Sequence, residues 1–254
     1  NLLTIDEAHC ISQWGYDFRP SYLEIIEIRN VIPTVPVLAL TATATPDVVA
    51  DIQNKLGFKR HNVLQTSFER KNLTYIVKQK EDKLGYILTI CKKIRGAGIV
   101  YVKTRKQTKE IALALREMGV NTDFYHAGLD AQTRNLKQEN WMKSHNMVMI
   151  STNAFGMGID KPNVRFVLHF DMPESLEAYF QEAGRAGRDG LEAFAVLLYN
   201  KKDISNLKAN FTKKFPDFKY IKNVYEALAN YYQIEVGAAK GNVYDFFIDD
   251  FCKT

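Results

Sequence analysis

Short runs of apolar residues recur along the chain, and most are continuous rather than alternating with polar residues. Residues 2–5, 37–40 and 147–150 are examples, and continuous runs of this length are typical of strands buried on both faces of a parallel sheet. Residues 106–118 instead carry apolar side chains at helical spacing and end at Gly119. The repeated order of strand and helix predicts an α/β fold in which helices cover both faces of a parallel sheet.

The same criteria define further helices and strands. A helix over residues 47–56 is predicted to begin at Thr45 and Pro46, which suit the N-cap and the first helical position, and to end at Gly57. Apolar residues at helical spacing predict another helix over residues 221–231. Additional predicted strands are residues 98–102, 166–170, 194–199 and 243–246.

Length and composition predict a globular protein. With 254 residues, 46% of them hydrophobic, the chain can bury one full domain and parts of others. No apolar run approaches the ~18 residues that a bilayer-spanning helix needs, so no membrane association is expected. The first residues lack the features of a signal peptide but already lie in a predicted strand, so we expect the chain to be cut from a longer protein.

Cysteine spacing and net charge narrow the interpretation only slightly. Cys10, Cys91 and Cys252 lie far apart, which argues against a disulfide framework and against a zinc site. This usage favours a reducing, intracellular compartment. The net charge of +5 is compatible with a polyanionic partner but does not by itself indicate DNA.

Two carboxylates, Asp6 and Glu7, come directly after the predicted strand 2–5, and His9 follows them. Parallel strands commonly present ligand-binding groups at their C-terminal ends, which suits Mg²⁺ binding by Asp6 and activation of a water molecule by Glu7. Acidic residues after a strand also occur as helix N-caps. Both interpretations remain open at this point.

A second candidate site lies in residues 181–190, where Arg185 and Arg188 are three positions apart on a glycine-rich turn. Arginine presents a planar fork of donors, so a pair at fixed spacing can grip the oxygens of a polyphosphate as its terminal group leaves. This is the arrangement of an arginine finger. The alternative is a solvated helix end with a glycine C-cap.

Residues 10–20 crowd aromatic side chains and an arginine between a predicted strand and a helix. Such a cluster suits stacking on exposed bases, although aromatic residues in a turn more often plug the underside of a domain. The candidate contact residues are Trp14, Tyr16, Phe18 and Arg19.

Further candidates follow strands in the second half of the chain. Arg105 lies at the C-terminal end of the predicted strand 98–102, where it can meet a phosphate. His126 lies near a glycine and is either a packing histidine or a contact to a nucleic-acid backbone.

Residues 151–161 form a glycine-containing segment after another predicted strand. Gly156 and Gly158 permit a close approach of the backbone to a ligand, and Asp160 is placed to accept a hydrogen bond from a ribose hydroxyl. Two neighbouring residues are predicted to lie in the core: Phe155 and Ile159.

These motifs resemble, in the same order, those of superfamily two helicases. The form QEAGRAGRDG and the aromatic-rich residues 10–20 resemble the RecQ family of DNA helicases, in which the aromatic loop couples single-stranded DNA to ATP hydrolysis. One position departs from the family, which usually carries His where this chain has Tyr16. The matching segments within residues 1–199 are 6–9 (motif II), 41–44 (motif III), 151–161 (motif V) and 181–190 (motif VI).

The resemblance implies a RecA-like fold with a partial first helicase lobe in residues 1–66, a complete second lobe in 67–203 and a small, mainly helical extension in 204–254. The strands of residues 1–66 are then expected to leave an unpaired edge. The implied activity is ATP-dependent 3′ to 5′ unwinding of DNA. Its cofactors would be ATP and Mg²⁺, and its partners single-stranded and forked DNA in the cytoplasm or nucleoid.

The resemblance also assigns roles to individual residues. Asp6 and Glu7 would hold magnesium, and together with Arg185 and Arg188 they would be catalytic. The nucleotide-binding set is Asp6, Glu7, His9, Gly156, Gly158, Asp160, Gln181, Arg185 and Arg188. The nucleic-acid-binding set is Trp14, Tyr16, Phe18, Arg19, Arg105, His126 and Thr152.

No phosphate-binding loop of the form G-x-x-x-x-G-K-[ST] occurs in the sequence. The family places this loop upstream of the acidic motif, so the chain alone is expected to be inactive. Many relatives carry a four-cysteine zinc module after the arginines, but only Cys252 follows them here, so no zinc is expected. Two alternatives stay open: a nucleic-acid-binding module without catalysis, and an RNA helicase.

Overall fold

A computed structural model describes residues 1–12, 19–156, 159–235, 241 and 243–252. The chain divides into two compact units, residues 1–200 and residues 201–254. None of the helices within the described ranges combines the length and the hydropathy that a membrane crossing demands.

The N-terminal part of the first unit contains a small parallel sheet. Strand β1 (Leu3–Ile5) pairs with β2 (Val37–Ala39). Each of these strands has one neighbour among the described residues, so each leaves an edge unpaired, as predicted for residues 1–66. The segment between the two strands forms the 3-10 helices Ala8–Ile11 and Pro20–Glu27 and the helix α1 (Ile28–Val31).

Helix α2 (Pro46–Lys55) closes this part of the unit. Thr45 takes an extended N-cap conformation, and Gly57 has a φ of 63°, which is the left-handed conformation that glycine adopts most easily. The predicted N-cap and glycine stop are therefore confirmed, and the helix begins and ends one residue before the predicted bounds of 47–56. Its buried face, with Val48 and Ile52, packs in one cluster with Ile5 of β1.

The larger part of the first unit is a six-stranded parallel sheet with the strand order β3-β8-β7-β4-β6-β5. Its strands are β3 (Leu73–Gln79), β4 (Ala97–Tyr101), β5 (Thr122–Tyr125), β6 (Val148–Ser151), β7 (Val164–His169) and β8 (Ala193–Tyr199). Its helices are α3 (Lys83–Lys93), α4 (Arg105–Glu117), α5 (Ala131–Lys143) and α6 (Leu176–Ala183).

The central strand β4 is buried at every position, and its neighbouring residues face opposite sides of the sheet. Ile99 packs in one core cluster with Trp141, and Val100 packs in the other with Leu115. Helices therefore cover both faces, and the predicted α/β class is confirmed. The prediction that Phe155 and Ile159 lie in the core is also confirmed, since they are 0% and 6% exposed.

All six strands run in the same direction, so their C-terminal ends meet at one edge of the sheet. In register, Tyr101 of β4 lies opposite Ser151 of β6 on one side and His169 of β7 on the other. The segments that follow β4, β5 and β6 contain Arg105, His126 and Thr152, whereas Arg185 and Arg188 lie between α6 and β8. The sheet thus places residues that are far apart in sequence along one edge.

The second unit consists of helices α7 (Lys201–Lys214), α8 (Phe218–Tyr231) and α9 (Ile248–Phe251) in its described residues. The predicted helix 221–231 lies within α8. The predicted strand 243–246 is wrong, because these residues form neither strand nor helix. Their aromatic side chains instead pack on α8 and the residue after it, with Tyr244 4.9 Å from Tyr232 and Phe246 6.4 Å from Tyr231 between ring centroids. The division into domains at residues 66 and 203 stays a prediction.

The sequence pattern did not define α5, because only one of its residues is buried. That residue is Trp141, which is 0% exposed, donates from Nε1 to the Gly98 carbonyl at 3.3 Å and meets the Phe155 ring edge-on at 5.1 Å. A helix with one buried side chain shows no apolar stripe. Helix α5 is held by this side chain and by Lys137, whose Nζ pairs with Asp123 and lies 4.1 Å from the centroid of the Phe124 ring.

We expect Trp141→Ala to lower the free energy of unfolding by about 3 to 5 kcal/mol, since it empties a closed part of the core. Urea denaturation of the purified chain measures this. Met142→Ala is the matched control, because the neighbouring Met142 is 37% exposed. Equal losses in the two variants would contradict the role of Trp141.

Candidate active site

The acidic turn, residues 6–9, follows β1 directly. Glu7 has φ 49° and ψ 41°, a left-handed conformation that is uncommon for a residue with a side chain. Its amide donates to Asp6 Oδ1 at 2.9 Å, and the Ala8 amide donates to the Leu40 carbonyl at 2.9 Å. Outliers of this kind concentrate at functional sites. The turn exposes the Asp6 side chain at the end of β1.

His9 links the acidic turn to the segment after β2. Its side chain is 2% exposed, and Nδ1 lies 3.3 Å from Glu7 Oε2 and 3.0 Å from the Thr41 hydroxyl. Thr41 belongs to the segment that resembles motif III. The segments that resemble motifs II and III are therefore in direct contact, because strands β1 and β2 are neighbours.

Glu7 also contacts helix α6 of the large sheet. Gln181 Nε2 donates to Glu7 Oε1 at 3.4 Å, across 174 residues of sequence. Ser175 is the N-cap of helix α6, and its hydroxyl accepts from the Ala178 amide at 3.1 Å. Because α6 leads directly into the arginines, this contact connects the acidic residues to the second candidate site.

The arginine turn, residues 184–190, is held by its backbone to the start of β7. The Gly187 amide donates to the Val164 carbonyl at 2.8 Å, and the Asp189 amide donates to the Pro162 carbonyl at 3.2 Å. Gly187 has φ 61°. A Cβ at this position would also lie 2.7 Å from Asn72 Nδ2, so both conformation and space require glycine.

Arg185 points inward and binds the glycine-containing segment after β6. Its Nη1 donates to the Gly156 carbonyl, and a Cβ on Gly156 would collide with the guanidinium. Gly156 therefore serves to admit Arg185. The guanidinium also lies near Tyr101, where burial raises the pKa of the phenol and the positive charge of Arg185 partly opposes that rise.

Arg188 is more exposed and binds the same segment. Its Nη1 donates to Asp160 Oδ1 at 2.8 Å and to the Ile159 carbonyl at 3.0 Å. The side chains of Arg188 and Asp160 are 34% and 81% exposed. Exposed ion pairs contribute only about 0 to 1 kcal/mol, so this pairing leaves Arg188 able to turn towards a phosphate.

Three of the predicted nucleic-acid contacts follow adjacent strands of the large sheet. Arg105 begins α4 after β4, and its guanidinium packs against Gly128. Burial lowers the pKa of His126, after β5, and the charge of Arg105 lowers it further. The Thr152 amide, after β6, donates to the Tyr125 carbonyl at 3.4 Å. These residues therefore lie together at the edge formed by the C-terminal ends of β4, β6 and β5.

Other predicted residues cannot be placed in the same way. Trp14, Tyr16, Phe18 and Gly158 lie outside the described residues. Arg19 is exposed, and its amide donates to the Cys10 carbonyl at 3.0 Å. The roles assigned to all of the site residues stay predictions.

The structure also reveals a buried pair that the sequence reasoning missed. His169 at the end of β7 is 1% exposed, and its Nε2 lies 2.8 Å from Glu182 Oε2. Its ring stacks on Tyr101 at 5.4 Å. The sequence indicated only that His169 ends an apolar strand and that Glu182 follows Gln181. It carried no information that the two side chains meet.

An ion pair of Asp189 was also not predicted from the sequence. Arg165 Nη2 lies 2.6 Å from both carboxylate oxygens, and this hydrogen bonding lowers the pKa of Asp189. Asn72 and Arg70, from the segment before β3, also bind the arginine turn. The described residues contain no group of three or more His, Cys, Asp or Glu side chains that could hold a metal ion.

Comparisons with known proteins place this geometry in a class. The family model described as "Helicase conserved C-terminal domain" matches residues 79–190. The fold is similar to Saccharomyces cerevisiae Dbp5 bound to RNA and ADP BeF3, with a TM-score of 0.63 and 22% identity over 86% of this chain and 58% of that one. It is also similar to Mycobacterium smegmatis helicase Lhr bound to ssDNA and AMP-PNP, with a TM-score of 0.66 and 17% identity over 82% of this chain and 30% of that one. The chain therefore shares the RecA-like α/β fold of these two proteins.

Sequence comparison specifies the family. The chain is 48% identical over 205 residues to ATP-dependent DNA helicase RecQ of Bacillus subtilis, covering 80% of this chain and 35% of that protein. It is 42% identical to RecQ of Haemophilus influenzae over 84% of this chain and 35% of that one, and 41% identical to RecQ-like DNA helicase blm-1 of Caenorhabditis elegans over 80% and 21%. The chain belongs to the RecQ family, and it spans about a third or less of the length of these relatives.

Proposed function

We propose that this chain is part of an ATP-dependent DNA helicase of the RecQ type, which couples ATP hydrolysis to 3′ to 5′ movement along single-stranded DNA and to duplex opening. The hydrogen bond between Gln181 and Glu7 carries the proposal, because it joins the acidic turn to the helix that ends in the arginine turn. The names of the relatives, which are ATP-dependent DNA helicases, support the same activity.

In this proposal the triphosphate of ATP binds between the acidic turn and the arginine turn. Glu7 accepts a proton from the attacking water, and His9 reports the state of the site to Thr41, which it contacts at 3.0 Å. Arg188 neutralises charge on the terminal phosphate, and Arg185 holds the segment after β6. The nucleotide is also bound by Gln181 and by three residues of the segment after β6: Gly156, Gly158 and Asp160.

The residues present fit a magnesium ion. Mg²⁺ binds through one or two carboxylates and completes its shell with water and substrate phosphates, so a large cluster of protein ligands is not required. Asp6 is exposed at the end of β1, next to Glu7, which matches that need. When bound, the ion would neutralise phosphate charge.

Single-stranded and forked DNA are the proposed partners. The proposed contacts are the edge residues Arg105, His126 and Thr152 and the aromatic segment with Trp14, Tyr16, Phe18 and Arg19. A cytoplasmic or nucleoid location follows from a DNA substrate.

A second candidate function is nucleic-acid binding without catalysis. It would apply if the intact protein also lacks a G-x-x-x-x-G-K-[ST] loop, because that loop supplies the lysine and the backbone amides that cradle the phosphates, and this chain does not contain it. We therefore expect no ATP turnover by this chain alone.

ATPase assays distinguish these functions. A polypeptide extended upstream of Asn1 to include a phosphate loop should hydrolyse ATP, with stimulation by single-stranded DNA. The chain alone should not. Stimulation by RNA in place of DNA would indicate an RNA helicase, and the absence of turnover in the extended polypeptide would support binding without catalysis.

We expect DNA binding by this chain to be weak and ionic. Each neutralised phosphate of a single strand contributes about −0.7 to the slope of log affinity against log salt, so Arg105→Ala should make the slope shallower by about that amount. Fluorescence anisotropy of a labelled oligonucleotide over a salt series measures this.

Lys106→Ala is the matched control for Arg105→Ala. Lys106 is the next residue along α4, its side chain is 84% exposed and its Nζ lies 3.6 Å from Glu110. Equal slopes for the two variants would remove Arg105 from the proposed DNA contacts.

A further inference from the structure

We infer that Arg70 and Asn72 are positioning residues that set the place of Arg188 for ATP hydrolysis. The inference rests on the proposed function. Both residues lie in the segment immediately before β3, which joins the small sheet to the large one. They contact the arginine turn across more than a hundred residues of sequence.

Arg70 binds the turn through its carbonyl groups. Its Nη2 donates to the Gly187 carbonyl at 2.6 Å and to the Ala186 carbonyl at 3.1 Å. These two carbonyls directly precede Arg188. Nε of the same planar group faces Asn72 Oδ1 at 3.4 Å, so the guanidinium addresses the turn and Asn72 with donors at fixed spacing, which an ammonium does not reproduce.

Asn72 binds the turn on both sides of Arg188. Its Nδ2 donates to the Gly187 carbonyl at 2.7 Å and to the Leu191 carbonyl at 2.8 Å. Its Oδ1 lies 3.4 Å from Arg70 Nε, so the two side chains also orient each other. Together they fix the backbone before and after Arg188.

The amide side of the turn is held separately. The carbonyls of Val164 and Pro162 accept from the Gly187 and Asp189 amides, so the start of β7 supports one side of the turn while Arg70 and Asn72 support the other. A side chain on a backbone fixed from both sides has a defined reach. Displacement of a catalytic group by about 1 Å can cost on the order of 10²-fold in rate.

The same segment also contacts α6. The Phe68 ring meets the Phe180 ring edge-on at 5.8 Å, and Phe180 precedes Gln181, which binds Glu7. The conformation of the segment before β3 therefore bears on both halves of the proposed nucleotide site.

The first test measures kcat and KM for ATP in the extended polypeptide at saturating single-stranded DNA. We expect Arg70→Ala and Asn72→Ala to lower kcat by about 10- to 100-fold with little change in KM, since they displace a group that acts on the departing phosphate. Arg70→Lys should restore little of the rate. Lys71→Ala is the control, because Lys71 lies between the two and is exposed.

A double variant separates positioning of Arg188 from a general structural role. If Arg70 acts through Arg188, Arg70→Ala should cause no further loss in an Arg188→Ala background. Multiplying losses would overturn the inference. If Arg70→Ala does not fold, as judged by its urea unfolding, Arg70→Lys decides by the same criterion.

Amide hydrogen exchange of this chain gives a readout that does not depend on ATPase activity. Residues 187–191 should exchange faster in Arg70→Ala and Asn72→Ala than in Lys71→Ala, while residues 97–101 of β4 keep their protection. Unchanged exchange of the turn in Arg70→Ala and Asn72→Ala would contradict the inference. Normal kcat in both variants, with a large loss in Arg188→Ala, would reject this inference and leave the proposed function intact. Normal turnover in Arg188→Ala would reject the proposed role of the arginine turn.

Discussion

Replacing Arg188 with alanine is expected to lower ATP turnover by roughly 10³ to 10⁵, the range seen when an arginine finger is lost. Arg188 is the more exposed of the two arginines and is held by an ion pair to Asp160 at 2.8 Å, which a phosphate can displace. The loss should appear in kcat, because the guanidinium stabilises charge that develops as the terminal phosphate leaves. Steady-state ATPase kinetics of the extended polypeptide measure it.

Two further variants test the roles of the arginines. Arg188→Lys should rescue poorly, since a point charge does not reproduce the planar fork. Arg185→Ala should lower turnover and also destabilise the fold, because its guanidinium binds the Gly156 carbonyl from a partly buried position. Affinity for single-stranded DNA should barely change in Arg188→Ala. A loss of DNA binding that accounts for the whole ATPase defect would contradict the assignment.

Replacing Glu7 with glutamine is expected to lower kcat by about 10² to 10⁴, the usual contribution of a general base. Glutamine keeps the size of the side chain and an acceptor for Gln181, so the 3.4 Å contact to α6 can persist while the proton acceptor is lost. ATP binding should therefore remain. Single-turnover hydrolysis and binding of a fluorescent nucleotide analogue separate the two effects.

Glu24→Gln is the control for Glu7→Gln, because Glu24 is an exposed carboxylate in the 3-10 helix Pro20–Glu27 of the same part of the chain. It should leave kcat unchanged. If Glu7→Gln hydrolyses ATP at a rate close to that of Glu24→Gln, the acidic turn does not supply the base.

The sequence by itself determined the class of the fold. Continuous apolar runs such as 98–102 predicted strands buried on both faces, because each side of a central parallel strand is covered by helices. Glycine and proline positions defined the ends of α2, since Gly57 adopts a left-handed conformation that other residues avoid. The motif order also led to the family, because the short segments that resemble the helicase motifs occur in the same order along this chain.

Only the tertiary structure decided which of these segments meet. The strand order places β4 between β6 and β7, whereas β4 lies between β3 and β5 along the chain. Three contacts of the site join residues that are 28 to 174 positions apart: Arg188 with Asp160, Glu7 with Gln181, and Arg70 with the arginine turn. Arg70 and Asn72 bind main-chain carbonyls, which every residue possesses, so no side-chain pattern in the sequence marks the partner. Such contacts exist only once the sheet has brought the backbone into place.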